Sequence, residues 1–445
     1  MSGFFHRFYL SSIAPPIVPK EQDALRFGIL GASSIAPEAV ILSARSHPEV
    51  IIYCVAARDR NRANLYAKKH NIPIVHDTYD DVINDPLVSC VYIALPNSHH
   101  YEWALRALKA GKHVLLEKPS TSNAIEAKKL FDHPLATTRD APVLLEAFHY
   151  RFHPAWQKFL DLIHKDPSAA GPIKKAYSQS YMPKGFLPEN DIRFIYPLAG
   201  GCLMDFAAYN ISHIRQMLDD PHPKVQNVVF RTHAHSSGGT TTSSTVDEEG
   251  QNPGQVDEAV SASYISQTGA RGYVVADLRS SGGWPLLPGS WTQHWPSVGW
   301  PKCTAELQEK QIYGHADKDG EIHYVQRTVT LYNHIFPHVY HCITVDDMHT
   351  IRRGLQEVRS WSERKNIKAY TWPKDSGICQ GMEWWTTYRY QLEEFVNHIK
   401  ARQGSGVWVS REDSISQMEV IDETYTKGNL KLRPTSEFDI DIKPE

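Results

Sequence analysis

The sequence predicts an α/β domain with a parallel sheet, followed by an α+β domain whose open sheet is mainly antiparallel. The first prediction depends on short apolar runs that alternate with helical segments between residues 25 and 148. The second depends on several strand-like segments in succession after residue 149. The chain has 445 residues, and at roughly 100–200 residues per domain this length allows two or three domains. We therefore divide it into an N-terminal arm (1–24), an α/β domain (25–148) and an α+β domain (149–445).

The α/β domain is predicted from short apolar runs bounded by Gly, Pro or polar residues, which is typical of buried parallel strands. The predicted strands are 26–30, 50–57, 89–95, 113–117 and 143–147. The segments between them have helical spacing of apolar residues. The predicted helices are 33–45, 61–70, 100–110 and 123–131.

The α+β domain is predicted from strand-like segments separated by turn residues and bracketed by helices. The predicted strands are 174–181, 225–231, 259–266, 273–278, 302–313 and 326–331. The predicted helices are 154–164, 384–400 and 410–427. The segment from about 236 to 258 is Ser/Thr/Gly-rich and acidic without periodicity, so we expect a flexible surface loop there.

Composition excludes several classes of protein. Lys and Arg number 47 and Asp and Glu 50, so the net charge of −3 gives no global electrostatic reason to bind nucleic acid or an anionic membrane. No apolar run approaches the roughly 18–20 residues of a membrane span. The six cysteines are dispersed without a CxxC pair, and no secretory signal is recognisable at the N-terminus. We therefore expect reduced thiols and a cytoplasmic location.

Gly31 lies where the first predicted strand turns into the first predicted helix. A glycine there permits a tight turn, and a helix N-terminus offers free N–H groups to a pyrophosphate. Ser33 replaces the second glycine of the usual dinucleotide motif, and Ala36 replaces the third. An ordinary strand–helix turn is therefore the alternative interpretation.

Arg58 and Arg62 follow the second predicted strand. In NAD-binding folds an acidic residue at this place contacts the ribose 2′-hydroxyl. A guanidinium instead pairs with a 2′-phosphate and stacks on adenine, which favours NADP over NAD. The alternative interpretation is a solvated arginine at a strand end.

Lys118 directly follows the strand at 113–117. Because ligands of parallel sheets bind beyond the carboxyl ends of the strands, we expect Lys118 at the mouth of a cofactor crevice. A lysine there can hold a carbonyl or hydroxyl oxygen and lower the pKa of a neighbouring acid. Asn97 follows the preceding strand, and a helix N-cap is its alternative interpretation.

Asp205, Tyr209 and His213 are spaced four residues apart and share one face of a predicted helix. A carboxylate and a phenol on one face can form a pair for substrate binding and proton transfer. A solvated polar face is the alternative interpretation.

Twenty-three histidines raise the question of a metal site. His233 and His235 have ligand-like spacing, as do His338, His341 and Cys342, but neither group completes a set of three or four ligands. We favour scattered surface and core histidines, and no metal is predicted.

Together these motifs resemble the glucose–fructose oxidoreductase / inositol dehydrogenase / rhizopine catabolism (Gfo/Idh/MocA) family. The ordered match consists of the Gly31 turn, Asn97-x-x-His100, the run from Ala110 to Pro119, and Gly-Gly-x-x-x-Asp205. Within the family, the chain is most similar to the branch of dimeric dihydrodiol dehydrogenase and NADP-dependent D-xylose dehydrogenase. The segments that carry this similarity are Leu145–Pro154, Asp191–Phe194 and Asp205-x-x-x-Tyr209.

The resemblance implies an N-terminal Rossmann domain that binds NADP(H), and hydride transfer to or from a sugar, a diol or a related hydroxyl or carbonyl substrate. It also implies a homodimer through the C-terminal sheet. Lys118 would orient the substrate hydroxyl, Tyr209 would be the general acid/base, and Asp205 would bind substrate or orient Lys118. The expected cofactor-binding residues are Gly31, Ser33, Ser34, Ile35, Arg58, Arg62, Leu95, Asn97, His100, Glu117, Lys118 and Glu146. The expected substrate-binding residues are Lys118, Phe148, Arg151, Asp205 and Tyr209.

Two alternatives remain open at this point. Ala207 stands where the family commonly has glycine, which leaves room for a different substrate. The chain could then be a natural-product enzyme that uses bound NADP(H) for reduction or for redox-neutral isomerisation or elimination. The other alternative is a non-catalytic NADP-binding regulator, and the retention of Lys118 and Tyr209 argues against it.

Overall fold

The structure is a computed structural model, and it describes residues 2–165, 171–233, 254–283, 289–297, 301–312 and 320–440. Most of the predicted loop at 236–258 lies outside these ranges. Its last two residues, Asp257 and Glu258, begin a strand rather than end a loop.

The first sheet contains six strands, all parallel. They are β1 (Leu25–Leu30), β2 (Val50–Ala56), β3 (Ile74–Val75), β4 (Cys90–Ile93), β5 (His113–Leu116) and β6 (Leu144–Glu146). Their spatial order is 3-2-1-4-5-6, the doubly wound order of dinucleotide-binding sheets. The prediction of a parallel sheet is confirmed, and the five predicted strands end within two residues of the observed ones. The short β3 was not predicted, because two residues carry no periodicity.

Helices surround this sheet, and the N-terminal arm contains a further one. They are α1 (Ser2–Phe8), α2 (Leu42–Arg45), α3 (Arg60–His70), α4 (Tyr79–Asn84), α5 (His100–Lys109), α6 (Ala124–Phe131) and α7 (Pro134–Thr137). The prediction of a helix from residue 33 was wrong at its start: helical structure begins only at Pro37, with a π-helical turn that leads into α2. The helix α4 was missed, although Thr78 and Asp81 form a capping box that marks its start.

The second sheet contains nine strands. They are β7 (Ile173–Pro183), β8 (Lys224–Thr232), β9 (Asp257–Ile265), β10 (Arg271–Ser280), β11 (Lys302–Leu307), β12 (Lys310–Ile312), β13 (Glu321–Tyr332), β14 (Cys342–Arg353) and β15 (Gln356–Ile367). The order is 15-14-13-11-7-10-9-8, with β12 paired to β13. Only β7 and β10 pair in parallel, so the predicted open, mainly antiparallel sheet is confirmed.

The sequence did not predict β14 and β15. In β15 almost every residue is exposed, so the strand lacks the alternation of apolar and polar residues that marks a half-buried strand. The strand forms because its backbone pairs with β14 along its length.

Five further helices follow in the described part of the chain. They are α8 (Pro154–His164), α9 (Phe206–Met217), α10 (Gly289–Thr292), α11 (Thr387–Ile399) and α12 (Arg411–Lys427). The helix α9 packs on β7 and β10 of the second sheet. The helix α12 packs on α6, one of the helices around the first sheet. Within the described ranges, no helix has the length and apolar character needed to cross a membrane. The homodimer through this sheet stays a prediction.

A buried ion pair joins the C-terminal segment to the start of β9, next to the loop before α9. Arg433 Nη2 lies 2.7 Å from Asp257 Oδ1, and both side chains are 0% exposed. The hydroxyl of Tyr425 and the backbone N–H of Leu203 also donate to this carboxylate, at 2.8 and 2.6 Å. A Cβ atom on Gly201, whose φ is 139°, would lie 2.4 Å from Asp257 Oδ1. The second glycine of the Gly-Gly motif is therefore needed so that this ion pair can approach the backbone.

We expect Arg433→Ala to destabilise the protein by about 3–5 kcal/mol, because it leaves the buried carboxylate of Asp257 without its cation. Thermal and urea unfolding measure the change. As a control, Arg364→Ala removes an exposed cation that pairs with Asp346 at the surface, and it should change stability little. Equal effects of the two substitutions would contradict the importance of the buried pair.

Candidate active site

A cavity of about 590 Å³ lies at the carboxyl ends of β1, β4 and β5. Its other walls come from β7, from the loop before α9, and from residues 333–336. Ten of the residues predicted for the site line it: Ser33, Ser34, Ile35, Leu95, Asn97, His100, Glu117, Lys118, Asp205 and Tyr209. Segments from Ser33 to Tyr388, 355 residues apart in the chain, therefore meet in one space between the two sheets.

Asp205 holds two cations at the wall of the cavity. Its Oδ1 lies 2.6 Å from Lys118 Nζ, and its Oδ2 lies 2.5 Å from Arg193 Nε. Although burial opposes the change, Arg193 and Lys118 hold the pKa of Asp205 well below its usual range. The Asp205 carboxylate is therefore ionised and fixes the direction in which the Lys118 ammonium points.

Tyr209 lies beside this ion cluster. The Lys118 ammonium is 4.4 Å from the centroid of the Tyr209 ring, which is a cation–π distance. The Tyr209 hydroxyl hydrogen-bonds to His149 Nε2 at 2.8 Å, and His149 Nδ1 hydrogen-bonds to Thr387 Oγ1 at 2.7 Å. The ring of Tyr388 stacks on His149 with a centroid separation of 3.9 Å. The phenol therefore has a fixed hydrogen-bond partner behind it and an ammonium at its side.

Burial keeps both members of the phenol–imidazole pair neutral. Burial, with Tyr388, Glu117 and Asp205 nearby, raises the pKa of Tyr209 well above its usual value. Burial, with Lys118 nearby, lowers the pKa of His149 well below its usual value. A neutral imidazole has one donating and one accepting nitrogen, so His149 can pass a proton along the line from Thr387 to Tyr209.

The turn after β1 has the shape that a dinucleotide requires. Gly31 has a φ of 99°, and a Cβ atom there would lie 3.0 Å from the carbonyl oxygen of Ala94. The Ser33 hydroxyl accepts the N–H of Ala36, and the Tyr66 hydroxyl donates to the Ser33 carbonyl. The turn is thus held open at the start of the following helix, which fits a pyrophosphate group. Gly31 shapes this turn from behind and does not itself line the cavity.

Three arginines lie beyond β2, and they differ in the groups that they contact. Arg60 pairs with Asp77, and Arg62 donates to the carbonyl of Ala32 in the turn after β1. Arg58 is exposed, and the described part of the chain provides no carboxylate for its guanidinium. The acidic neighbour Asp59 is the N-cap of α3 and accepts the N–H groups of Asn61 and Arg62. The cation at this place is therefore available, whereas the carboxylate is already bound.

Three other predicted cofactor residues also make structural contacts. Asn97 does not cap α5, whose N-cap is His99; its amide donates instead to the carbonyl of Ala199 across the cavity. Both ring nitrogens of His100 lie 2.9 Å from backbone carbonyls, those of Pro119 and Leu95. Glu117 accepts the Tyr92 hydroxyl at 2.7 Å, and burial raises its pKa.

Six predicted binding residues lie outside the cavity wall: Gly31, Arg58 and Arg62, described above, and Glu146, Phe148 and Arg151. Glu146 is fully buried and accepts the N–H of Ser120, so it supports the segment after Lys118. Phe148 packs edge-on behind the Tyr209 ring. Arg151 forms an ion pair with Asp413 and donates to Ser212 at 2.6 Å, so its charge is already neutralised inside the protein. Ala207, which the sequence suggested as a neighbour of the substrate, does not line the cavity either.

Sequence reasoning missed His149, Arg193 and Tyr388 as site residues. His149 and Arg193 lie within the segments 145–154 and 191–194, which already carried the family resemblance. Tyr388 lies in α11, and nothing in its local sequence indicates the cavity. Only the packing of α11 shows that this ring lines the wall.

The histidine spacings that were considered for a metal do not converge. His341 binds the carbonyl of Pro337, and His233 pairs with Glu258, while His235 lies outside the described residues. A different group, His213, Cys303 and His334, places three ligand-type atoms within 4.8 Å of one another in the core. Ser178 hydrogen-bonds to His213, and Cys303 lies 3.6 Å from His334 Nδ1, so these side chains already contact one another.

Known proteins resemble this chain most clearly in the first domain. The family model described as "Oxidoreductase family, NAD-binding Rossmann fold" matches residues 25–141. D-xylose 1-dehydrogenase (NADP(+)) 2 of Haloferax volcanii is 36% identical over 200 residues, which are 44% of this chain and 58% of that protein. Trans-1,2-dihydrobenzene-1,2-diol dehydrogenase of Mus musculus is 32% identical over 212 residues, 47% of this chain and 61% of that protein. The match thus spans less than two thirds of these relatives.

A solved structure shows that the likeness of fold extends further. A 3-ketoreductase from Actinomadura kijaniata, in complex with NADP and TDP-benzene, superposes with a TM-score of 0.62 at 18% identity. The superposition covers 91% of this chain and 98% of that one, so both sheets share the arrangement. The predicted resemblance to the Gfo/Idh/MocA oxidoreductase family is confirmed: its family model matches residues 25–141, and the NAD-binding Rossmann fold that it describes agrees with the strand order of the first sheet.

Proposed function

We propose that the protein is an NADP-dependent oxidoreductase that transfers hydride between the nicotinamide and a hydroxyl or carbonyl carbon of a small molecule. The observation that carries this proposal is the contact of Lys118, Asp205 and Tyr209 on one wall of the cavity, with the turn after β1 on the opposite wall. The names of the two dehydrogenase relatives support a CH–OH substrate such as a sugar or a diol.

The residues that would hold NADP(H) are the Gly31 turn with Ser33 and Ser34, and Asn97 nearer to Lys118. A bound nicotinamide supplies or accepts the hydride, which is the cofactor's own chemistry. Arg58 would hold the 2′-phosphate, since its guanidinium is exposed and Asp59 is bound as the cap of α3.

Lys118 and Tyr209 would act on the substrate oxygen. The ammonium of Lys118, steered by Asp205, donates a hydrogen bond that polarises a carbonyl. Tyr209 Oη then gives its proton to that oxygen as hydride reaches the carbon, so that the carbonyl becomes an alcohol. A hydrogen bond from the Nε2–H of His149 would stabilise the tyrosinate, which recovers its proton from solvent once the product has left the cavity. Because the pKa of Tyr209 is raised, the phenol is better suited to donate a proton in reduction than to accept one in oxidation.

We expect Tyr209→Phe and Lys118→Met each to lower kcat by about 10²–10⁴-fold, the usual contribution of a positioned acid or base. The affinity for NADPH, measured by fluorescence titration, should change little. Absorbance at 340 nm with NADPH or NADP against carbonyl compounds, aldoses and dihydrodiols measures turnover. Tyr196→Phe is the control, because that phenol binds the carbonyl of Leu432 outside the cavity. Absence of turnover in the whole screen would refute the proposed function.

The choice of cofactor depends on Arg58. We expect Arg58→Ala to raise the KM for NADP by about 10- to 100-fold, the loss of a charge-assisted hydrogen bond, with little change for NAD. Arg60→Ala is the matched control, because Arg60 is exposed nearby but already pairs with Asp77. If wild type uses NAD better than NADP, or if both cofactors lose equally, Arg58 does not bind the 2′-phosphate.

The pH dependence follows from the direction of the Tyr209 shift. A raised pKa means that the protonated phenol persists to a pH above about 10, the ordinary tyrosine value. We therefore expect kcat/KM for carbonyl reduction to stay level from about pH 7 to about pH 10. Circular dichroism at each pH monitors folding. A falling limb centred near pH 8 in a folded enzyme would show that the acid has a lower pKa than the buried Tyr209.

A further inference from the structure

A second cavity, of about 560 Å³, adjoins the active-site cavity. Four residues line both spaces: Glu38, Asn333, Phe336 and Tyr388. Tyr388 also stacks on His149, the partner of the Tyr209 hydroxyl. The second cavity therefore begins two side chains away from the phenol that would transfer the proton.

The N-terminal arm forms one wall of this second cavity. Phe4, Phe5 and Phe8 of α1 line it, followed by Ser11 and Ser12. Since these phenylalanines stand within five residues of one helix, they present a nearly continuous apolar surface. Phe5 is 65% exposed, although burying such a ring is worth about 1.5–3 kcal/mol. The protein thus keeps aromatic surface uncovered at this place.

A specific contact holds the arm over the cavity. Arg7 donates from Nε to the carbonyl of His338 at 2.9 Å and from Nη2 to the Tyr370 hydroxyl at 3.0 Å. Its guanidinium carbon lies 4.1 Å from the centroid of the Tyr370 ring. The contacts of Arg7 therefore fix the position of α1. They do not involve the three phenylalanines, which line the cavity.

The chemistry of the second cavity suits an apolar ligand. Seven of its thirteen lining residues are apolar or aromatic: Phe4, Phe5, Phe8, Leu42, Phe336, Val339 and Tyr388. Its acidic residue, Glu38, has a pKa that burial raises, and His338 is kept neutral because burial lowers its pKa to about 3. Ser11, Ser12, Asn333 and Thr386 also line the cavity, but most of the surface that it exposes is apolar, which suits an apolar group better than the hydroxyl-rich body of a free sugar.

We propose that the second cavity binds the apolar part of the substrate, and that the N-terminal arm is a wall of the substrate site. The substrate class is then a ketone or alcohol whose reacting carbon carries an aromatic or long aliphatic group. The reacting oxygen lies at Lys118 and Tyr209, and the apolar group extends past Tyr388 and Phe336 to α1. The position of the reacting oxygen in this inference rests on the proposed function. The position of the apolar group rests on the residues of the arm.

Binding of N-phenyl-1-naphthylamine, an uncharged probe that fluoresces in apolar sites, tests the cavity without turnover. With NADP present, we expect saturable binding to wild type and at least tenfold weaker binding to the double variant Phe4→Ser/Phe8→Ser. The control Ile17→Ser should bind like wild type, because Ile17 is an arm residue that is 80% exposed and lines neither cavity. Circular dichroism and NADP affinity show whether the double variant is folded. No probe binding to wild type, or equal binding to the folded double variant, would overturn the inference.

Turnover of methyl ketones from 2-butanone to 2-decanone with NADPH tests whether the apolar chain of a ketone that reacts at Lys118 and Tyr209 occupies the second cavity. We expect kcat/KM to rise about threefold to fourfold per added methylene in wild type and to stay nearly level in the double variant. A level series in wild type would overturn the inference while leaving the proposed function intact. Probe binding that depends on the arm, with no ketone reduced, would instead support the cavity and refute the proposed reaction on this substrate class.

Discussion

The Asp205 carboxylate is the interaction on which the arrangement of the site depends. One of its oxygens binds the Lys118 ammonium, and the other binds the Arg193 guanidinium. These three charges come from the end of β5, the loop before α9 and the segment after β7, so one carboxylate ties the two sheets together at the cavity. Buried charges are costly unless each is paired, and here each oxygen has its own cation. Loss of Asp205 would leave Lys118 without its carboxylate beside the phenol of Tyr209, and it would leave Arg193 paired with Asp191 alone.

The loop that carries Asp205 is itself held from behind. Gly201 allows it to pass close to the Asp257–Arg433 ion pair, whereas Gly200 allows it to approach the backbone of Arg193. Arg433 Nε donates to the Gly200 carbonyl at 2.6 Å. The carbonyl of Arg433 in turn accepts from Asn123, the N-cap of α6 in the first domain. The C-terminal segment thus connects both domains to the loop, and the Gly-Gly motif is explained by this close approach as well as by the turn.

In the proposed reaction, the charges at the site give two residues different tasks: Lys118 binds the substrate oxygen, and Tyr209 transfers the proton. Asp205 neutralises the Lys118 ammonium, which therefore acts as a fixed hydrogen-bond donor. Tyr209 has no carboxylate partner among the described hydrogen bonds; it contacts the neutral imidazole of His149, and burial keeps its proton in place. Beyond Tyr388 the walls become more apolar, so the charged groups concentrate at the end of the cavity where Lys118 and Asp205 lie.

The parallel sheet, the turn at Gly31 and the position of Lys118 could be predicted from the sequence, because each follows from a local pattern of apolar runs and glycine. The helical spacing of Asp205 and Tyr209 indicated these two residues as well. The tertiary structure was needed to show that His149 contacts Tyr209, 60 residues away, and that Arg151 is bound by Asp413 instead of lining the cavity. It alone revealed β15, which pairs without an apolar face, and the arm, whose Arg7 meets Tyr370 across 363 residues. The physical reason is that contacts between distant segments depend on how the sheets and helices pack, and local periodicity carries no record of that packing.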